Sequence, residues 1–261
     1  MPNIVVLVKQ VPDTYSERRL TEADHTLDRA SADAVLDEIN ERAVEEALRL
    51  KEAQGGEVTV LTVGPERAAE AIRKALSMGA DKAVHVRDDL LHGADVLQTA
   101  AVLAAAVRTL DGVDLVLAGN EATDGRAGAV PAILAELLGL PQLTHAREVV
   151  VDGSTVRVTR ETDDGVTRLE ASLPAVVSVG EKINEPRYPS FKGIMAAKKK
   201  PVTTLGVTDL GIETGRVGLG NAASAVVEAA PKPPRQAGTR VTDDGDGGVR
   251  AAEYLIAQKL I

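Results

Sequence analysis

The residues best suited to chemistry stand in one run, Gly119-Asn120-Glu121-Ala122-Thr123-Asp124-Gly125-Arg126-Ala127-Gly128-Ala129. It offers small residues for close backbone approach, a carboxylate, and the free N–H groups of a helix start. Those N–H groups and the helix dipole favour a phosphate. The plainer reading is an ordinary strand-to-helix connection, where Gly and Asp are common. The run is not a Walker loop, since no Gly-Lys-Ser/Thr occurs. Nor does a Gly-x-Gly-x-x-Gly fingerprint follow the first strand, where Val8-Lys9-Gln10-Val11-Pro12 stands. ATP hydrolysis and a standard Rossmann NAD site both lose support. His25, His85, His92 and His145 are isolated and read as surface or structural residues. Ser178 and Ser190 lack a nucleophile-elbow context. Nothing reads as an active site for bond-breaking chemistry.

A second run, Asn184 to Lys200, has a different character. It gathers Tyr188, Phe191, Met195 and the basic Lys198-Lys199-Lys200 among turn residues. An exposed apolar anchor ringed by charge is a protein-docking pattern. The alternative is that Phe191 and Met195 tuck into their own core while the lysines are solvated.

The elements that must position these runs follow from periodicity. Ile4–Val8 is an apolar run of strand length, suited to burial on both faces. Helical spacing runs from Leu36 to Glu52 and stops at Gly55-Gly56. Strands are expected at 57–63, 83–86 and 114–118. Helices are expected from Ala68 to Gly79, from Val96 to Leu110 behind Asp95, and over 126–138 with Pro131 in the first turn. This alternation predicts an α/β fold with a doubly wound, mostly parallel, Rossmann-like sheet. Val149–Arg160 with Asp152-Gly153, then Asp164-Gly165 before Val166–Leu173, predict an antiparallel extension, and Pro174–Val179 a further buried strand. Residues 1–200 then form the nucleotide-binding domain with the docking loop 184–200. Residues 201–246 lack apolar periodicity and read as an arm across a partner's surface, ending in a helix over Val249–Leu260, so that 201–261 is a C-terminal arm.

Composition bounds the function. The chain has 261 residues, 44% apolar and 26% charged, which suits a folded globular protein. A net charge of −9 and only four aromatics argue against nucleic acid as a partner. The absence of cysteine excludes thiolate metal sites, iron–sulfur clusters and cysteine nucleophiles. No apolar stretch reaches the ~18 residues of a membrane span, and no signal region opens the chain, so a soluble cytoplasmic protein is expected.

Several blocks together resemble the beta subunit of electron transfer flavoprotein, over nearly the whole chain. They are Val-Leu-Val-Lys-Gln-Val-Pro-Asp (6–13), Ala43–Glu52, Ala75–Asp81, the Gly119–Gly125 loop, Leu173–Val177 and, most specific, Asn184–Lys200. The resemblance implies an electron carrier subunit rather than an enzyme. It implies a heterodimer with an alpha subunit, FAD held mainly on alpha, and a structural AMP on this chain. Electrons would come from acyl-CoA dehydrogenases and related flavin dehydrogenases, and pass to a membrane quinone oxidoreductase. Carried onto this sequence, the AMP pocket would use Leu7, Asp37, Glu38, Ile39, Asn40 and Val63. It would also use Gly119, Asn120, Asp124, Gly125, Arg126, Ala127, Gly128, Ala129 and Val130. Tyr15 matches an aromatic near the flavin. Phe191 matches the bulky apolar anchor of the family's docking loop, with Tyr188, Ile194 and Met195 beside it.

Two departures stand out. Leu-Asp-Glu-Ile-Asn replaces the Asn-Pro-Phe that many members carry before the helix at 43–52. Ala129-Val130-Pro131 replaces a Gln-Thr-Gly near the phosphate, leaving backbone N–H groups and Arg126 to hold it. The electron-bifurcating branch, with a second FAD in place of AMP, resembles Asp-Gly-Asp-Thr-Ala-Gln-Val here; Asp124-Gly125 matches it and Arg126–Ala129 does not. AMP is therefore the expectation and a second FAD the alternative. Outside the family, a stand-alone nucleotide sensor is the competing reading, but it should end with its sheet near 180.

Overall fold

A strand buried on both faces needs apolar side chains in both directions, and the first strand has them. A computed structural model describes residues 1–230, 232–235, 238, 240 and 242–261. In β1 (Asn3–Leu7), Ile4 and Val6 join one core while Val5 and Leu7 join another on the opposite face. Then come β2 (Gln10–Pro12), β3 (Ala34–Leu36), α1 (Glu38–Gln54), β4 (Glu57–Val63), α2 (Ala69–Met78), β5 (Lys82–Val86), α3 (Val96–Arg108), β6 (Leu115–Gly119) and α4 (Val130–Leu138). The chain continues through β7 (Gln142–Asp152), β8 (Thr155–Thr162), β9 (Gly165–Ser172), β10 (Ala175–Val179), α5 (Phe191–Ala197), β11 (Val202–Leu205) and α6 (Gly247–Ala257).

One nine-stranded sheet has the order β11-β5-β4-β1-β6-β10-β7-β8-β9, and β2 with β3 makes a separate antiparallel pair. From β11 to β7 all neighbours are parallel; β7, β8 and β9 form the antiparallel extension. Helices α1 and α2 cover one face and α3 and α4 the other, so the sheet is doubly wound as expected. From β1 the chain moves outward through β4 and β5, then returns to β1's other side for β6 and β10. That reversal puts the topological switch point between the carboxyl ends of β1 and β6, where open α/β sheets bind ligands.

Three expectations about elements need correction. Helix α4 starts at Val130, not 126, because Arg126 and Gly128 have φ of 48° and 63°. The first hairpin turns on Gly153-Ser154, since Asp152 pairs with Thr155, and the second on Asp163-Asp164, between paired Thr162 and Gly165. The body does not stop at 200. Strand β11 pairs with β5, Val207 and Val217 are buried in the α3/α4 core, and the first compact unit runs Met1–Val227. The second unit is Glu228–Ile261. In it α6 forms close to the expected place, with none of its residues buried. Residues 231, 236, 237, 239 and 241 of the expected arm lie outside the described residues. No helix among the described residues is long and apolar enough to cross a membrane.

Candidate functional site

The switch point is built around two aspartates. Asp37 caps α1: one carboxylate oxygen accepts from the amides of Ile39 and Asn40 at 3.0 and 3.2 Å. The other accepts from the Thr123 amide at 2.7 Å and the Thr123 hydroxyl at 2.8 Å. Asp37 is fully buried and its acceptor sites are taken. It therefore pins the loop after β6 to the start of α1.

Asp124 is the second. Its side chain is 1% exposed, with Lys9 Nζ at 2.8 Å and Arg29 Nη2 at 3.0 Å. Burial by itself pushes this carboxyl up, but the two cations outweigh it and hold the group below the usual aspartate range. Lys9 follows β1 and Asp124 follows β6, so the pair joins the two lips of the switch point.

Beyond Asp124 the loop opens. Gly125, Arg126, Ala127 and Gly128 are exposed, and a Cβ on Gly125 would meet nothing within 4 Å. Among the described residues, no acceptor takes the amides of Ala127, Gly128 and Ala129, and Ala129 heads α4 without a side-chain cap. Asn120 Oδ1 is buried and unpartnered, an acceptor that a ligand hydroxyl or amine would satisfy. Arg126 is held by Glu121 at 3.0 Å. Free amides beside a buried acceptor suit a nucleotide's phosphate and its hydroxyl or amine groups.

The remaining expected residues are spread around this centre. Leu7 ends β1, Ile39 and Asn40 lie in the first turn of α1, and all three are buried. Glu38 is exposed on α1, Val63 ends β4 half-buried, and Val130 opens α4. Tyr15 is 98% exposed in a turn closed by Asp13, whose Oδ1 accepts from the Tyr15 amide at 2.9 Å. A shallow hollow of about 370 Å³ lined by Ser16, Glu17, Arg19, Ser31, Ala32 and Asp33 shares none of the expected residues. Its open, polar lining lacks the converging donors of the switch point.

The run 184–200 is a strap. Asn184 Nδ2 donates to the Arg42 carbonyl at 3.0 Å and to Glu46 Oε2 at 2.9 Å. Arg187 forks onto Glu45 at 2.8 Å and also pairs with Glu52, which together raise its pKa further. At the other end, Lys200 Nζ donates to the Leu76 and Ala80 carbonyls at 2.9 and 2.5 Å, capping α2. In between, Ser190 caps α5, and α5 packs on α2 so closely that a Cβ on Gly193 would lie 2.3 Å from the Ser77 carbonyl oxygen. Ala197 joins the core, but the large apolar residues between the anchors are left exposed: Tyr188 is 97% and Phe191 81% exposed, and Ile194 and Met195 are about half exposed. The alternative that Phe191 and Met195 fill their own core does not hold.

The sequence does not single out Thr123, Arg29, Arg187 and Lys200 as anchors. Thr123 was visible inside the loop. Arg29 left no local signal, because its partner stands 95 residues away.

A model of the "Electron transfer flavoprotein domain" family matches residues 24–210. A protein of Mycobacterium tuberculosis strain H37Rv named "Electron transfer flavoprotein subunit beta" is 64% identical, with 100% of both chains covered. A protein of the same name from Megasphaera elsdenii is 34% identical, with 99% of each covered. "Caffeyl-CoA reductase-Etf complex subunit CarD" of Acetobacterium woodii is 35% identical over 92% of this chain and 91% of its own.

Proposed function

The chain belongs to the electron transfer flavoprotein family, as a beta subunit, and on that premise we propose that it binds AMP at the β1/β6 switch point and pairs with an alpha subunit around an FAD. The observation that carries the AMP reading is the loop after β6. Its open Gly125–Gly128 stretch, free amides and unpartnered Asn120 Oδ1 give a phosphate and a polar nucleoside edge their partners. FAD, held mainly on alpha, supplies the electron-carrying chemistry when bound. This chain's part is to bind, position and enclose. Electrons then pass from acyl-CoA and related flavin dehydrogenases, as in fatty acid oxidation, to a membrane quinone oxidoreductase. The strap's apolar tip, with Phe191 at its centre, meets the donor, and Glu228–Ile261 packs on alpha.

A second reading has one observation behind it: a relative whose name places it in a caffeyl-CoA reductase complex. A bifurcating subunit would hold a second FAD where AMP is proposed. The loop shares Asp124-Gly125 with that branch but not Arg126–Ala129. Denaturing the purified complex and measuring the released nucleotides separates the two. AMP and FAD in equal amounts is the expected result. Two FAD per complex without AMP overturns the AMP assignment.

A further inference from the structure

Residues 13–33 connect β2 to β3, and not one of them is buried. A connection of that length with no core of its own is uncommon in a compact domain and is often functional. Its base is a hinge of one antiparallel pair, closed by the Asp13 amide on the Asp33 carbonyl at 2.8 Å. Side-chain hydrogen bonds and ion pairs fasten it further. Arg18 Nη1 donates to the Thr123 carbonyl at 2.9 Å, and Arg29 Nη2 to Asp124 at 3.0 Å. Arg67 Nη1 reaches back to the Arg29 carbonyl at 2.6 Å, and His92 Nε2 meets Asp24 at 2.7 Å.

These anchors share a location. Thr123 and Asp124 follow β6, Arg67 follows β4, and His92 follows β5. The segment is thus laid across the carboxyl edge of the sheet and fastened to three of its loops. It seals Asp124 at the lip of the switch point, where Arg29 and Lys9 leave 1% of the side chain exposed. A segment with no buried residue opens locally more easily than the sheet beneath it.

We infer that residues 13–33 are a cover over the switch point, and that Arg29 is the positioning residue whose pairing with Asp124 sets how fast a nucleotide enters and leaves. This rests on the reading that the switch point holds a nucleotide. The cover swings on the β2–β3 pair. Closing it places the Arg29 guanidinium against a carboxylate that is already fixed by the loop, so closure and loop geometry are coupled.

The test uses the full chain in its purified complex, AMP as probe, and hydrogen exchange of the 13–33 amides as a readout independent of electron transfer. In the wild type, AMP should slow exchange across 13–33. Arg29→Gln should raise exchange there without AMP and release AMP about tenfold faster, with Arg29→Lys recovering part of both. Should Arg29→Gln fold poorly, Arg18→Gln, on an exposed side chain, provides the same two readouts. Failure of the wild type to bind AMP overturns the pocket reading. Normal AMP binding with wild-type release and exchange in Arg29→Gln overturns the cover alone.

Discussion

Asp124 shows what a single side chain does here. A buried carboxylate is costly unless paired, and this one is paired twice, by cations from separate stretches of chain. Asp124→Asn should destabilise the protein by about 1–2 kcal/mol at neutral pH, below the usual cost of breaking a buried pair, because Lys9 and Arg29 are each more than a third exposed and can turn to water. The sign of the pH effect follows from the depressed carboxyl. Its contribution is fully present above the ordinary aspartate range and is lost as pH falls through the lower folded-state value. Urea midpoints of wild type and Asp124→Asn should differ by a constant amount from about pH 5 to 8 and converge in acid below about pH 4. A gap that persists unchanged in acid would show that the charge is not what stabilises the site.

At the scale of the element, the strap separates the residues that hold it from those proposed to dock the donor. Arg187 and Lys200 fasten its ends to α1 and α2, and α5 lies against α2 at Gly193. Phe191 takes no part in that fastening. Phe191→Ala should slow reduction by an acyl-CoA dehydrogenase roughly thirtyfold, the factor matching about 2 kcal/mol for a buried interface aromatic. Its Tm should stay within about 2 °C of wild type. Gly193→Ala should behave differently. Its new Cβ would meet the Ser77 carbonyl, so α5 must lift from α2, lowering both Tm and donor reduction. Stopped-flow flavin reduction beside thermal melts distinguishes the pair. A large fall in Tm for Phe191→Ala with docking intact would return Phe191 to the core.

For the whole molecule, the decisive boundary is at Val227. The sheet keeps residues 202–227 through β11, Val207 and Val217, so a protease should spare them. Cutting should fall between 228 and 246, ahead of α6, whose Val249, Tyr254 and Ile256 are exposed. Adding the alpha subunit should slow that cutting at least several-fold if the second unit gains a partner surface. Equal rates with and without alpha would mean that the second unit is not an arm for that partner.

Much was legible without coordinates, and the reason is locality. The strand–helix alternation, the start of α3 behind Asp95, whose carboxylate accepts from the Gln98 amide, the stop at Gly55 and the loop at 119–129 each depend on neighbours within a few residues. Strand β11 escaped notice because Val202–Leu205 is a short edge strand that is mostly exposed, with no buried run to betray it. The start of α4 was misplaced because a left-handed Arg126 has no sequence mark. The unbroken apolar run of β1, whose side chains alternate between faces, by itself required both faces of the sheet to be covered. Only the tertiary structure decided that Asp37 is saturated by Thr123, that Arg29 closes on Asp124 and that Phe191 is left in solvent. Each of these joins or exposes residues far apart in the chain, and a pairing across 86 or 95 residues is specified by the packing of the whole sheet rather than by any local pattern.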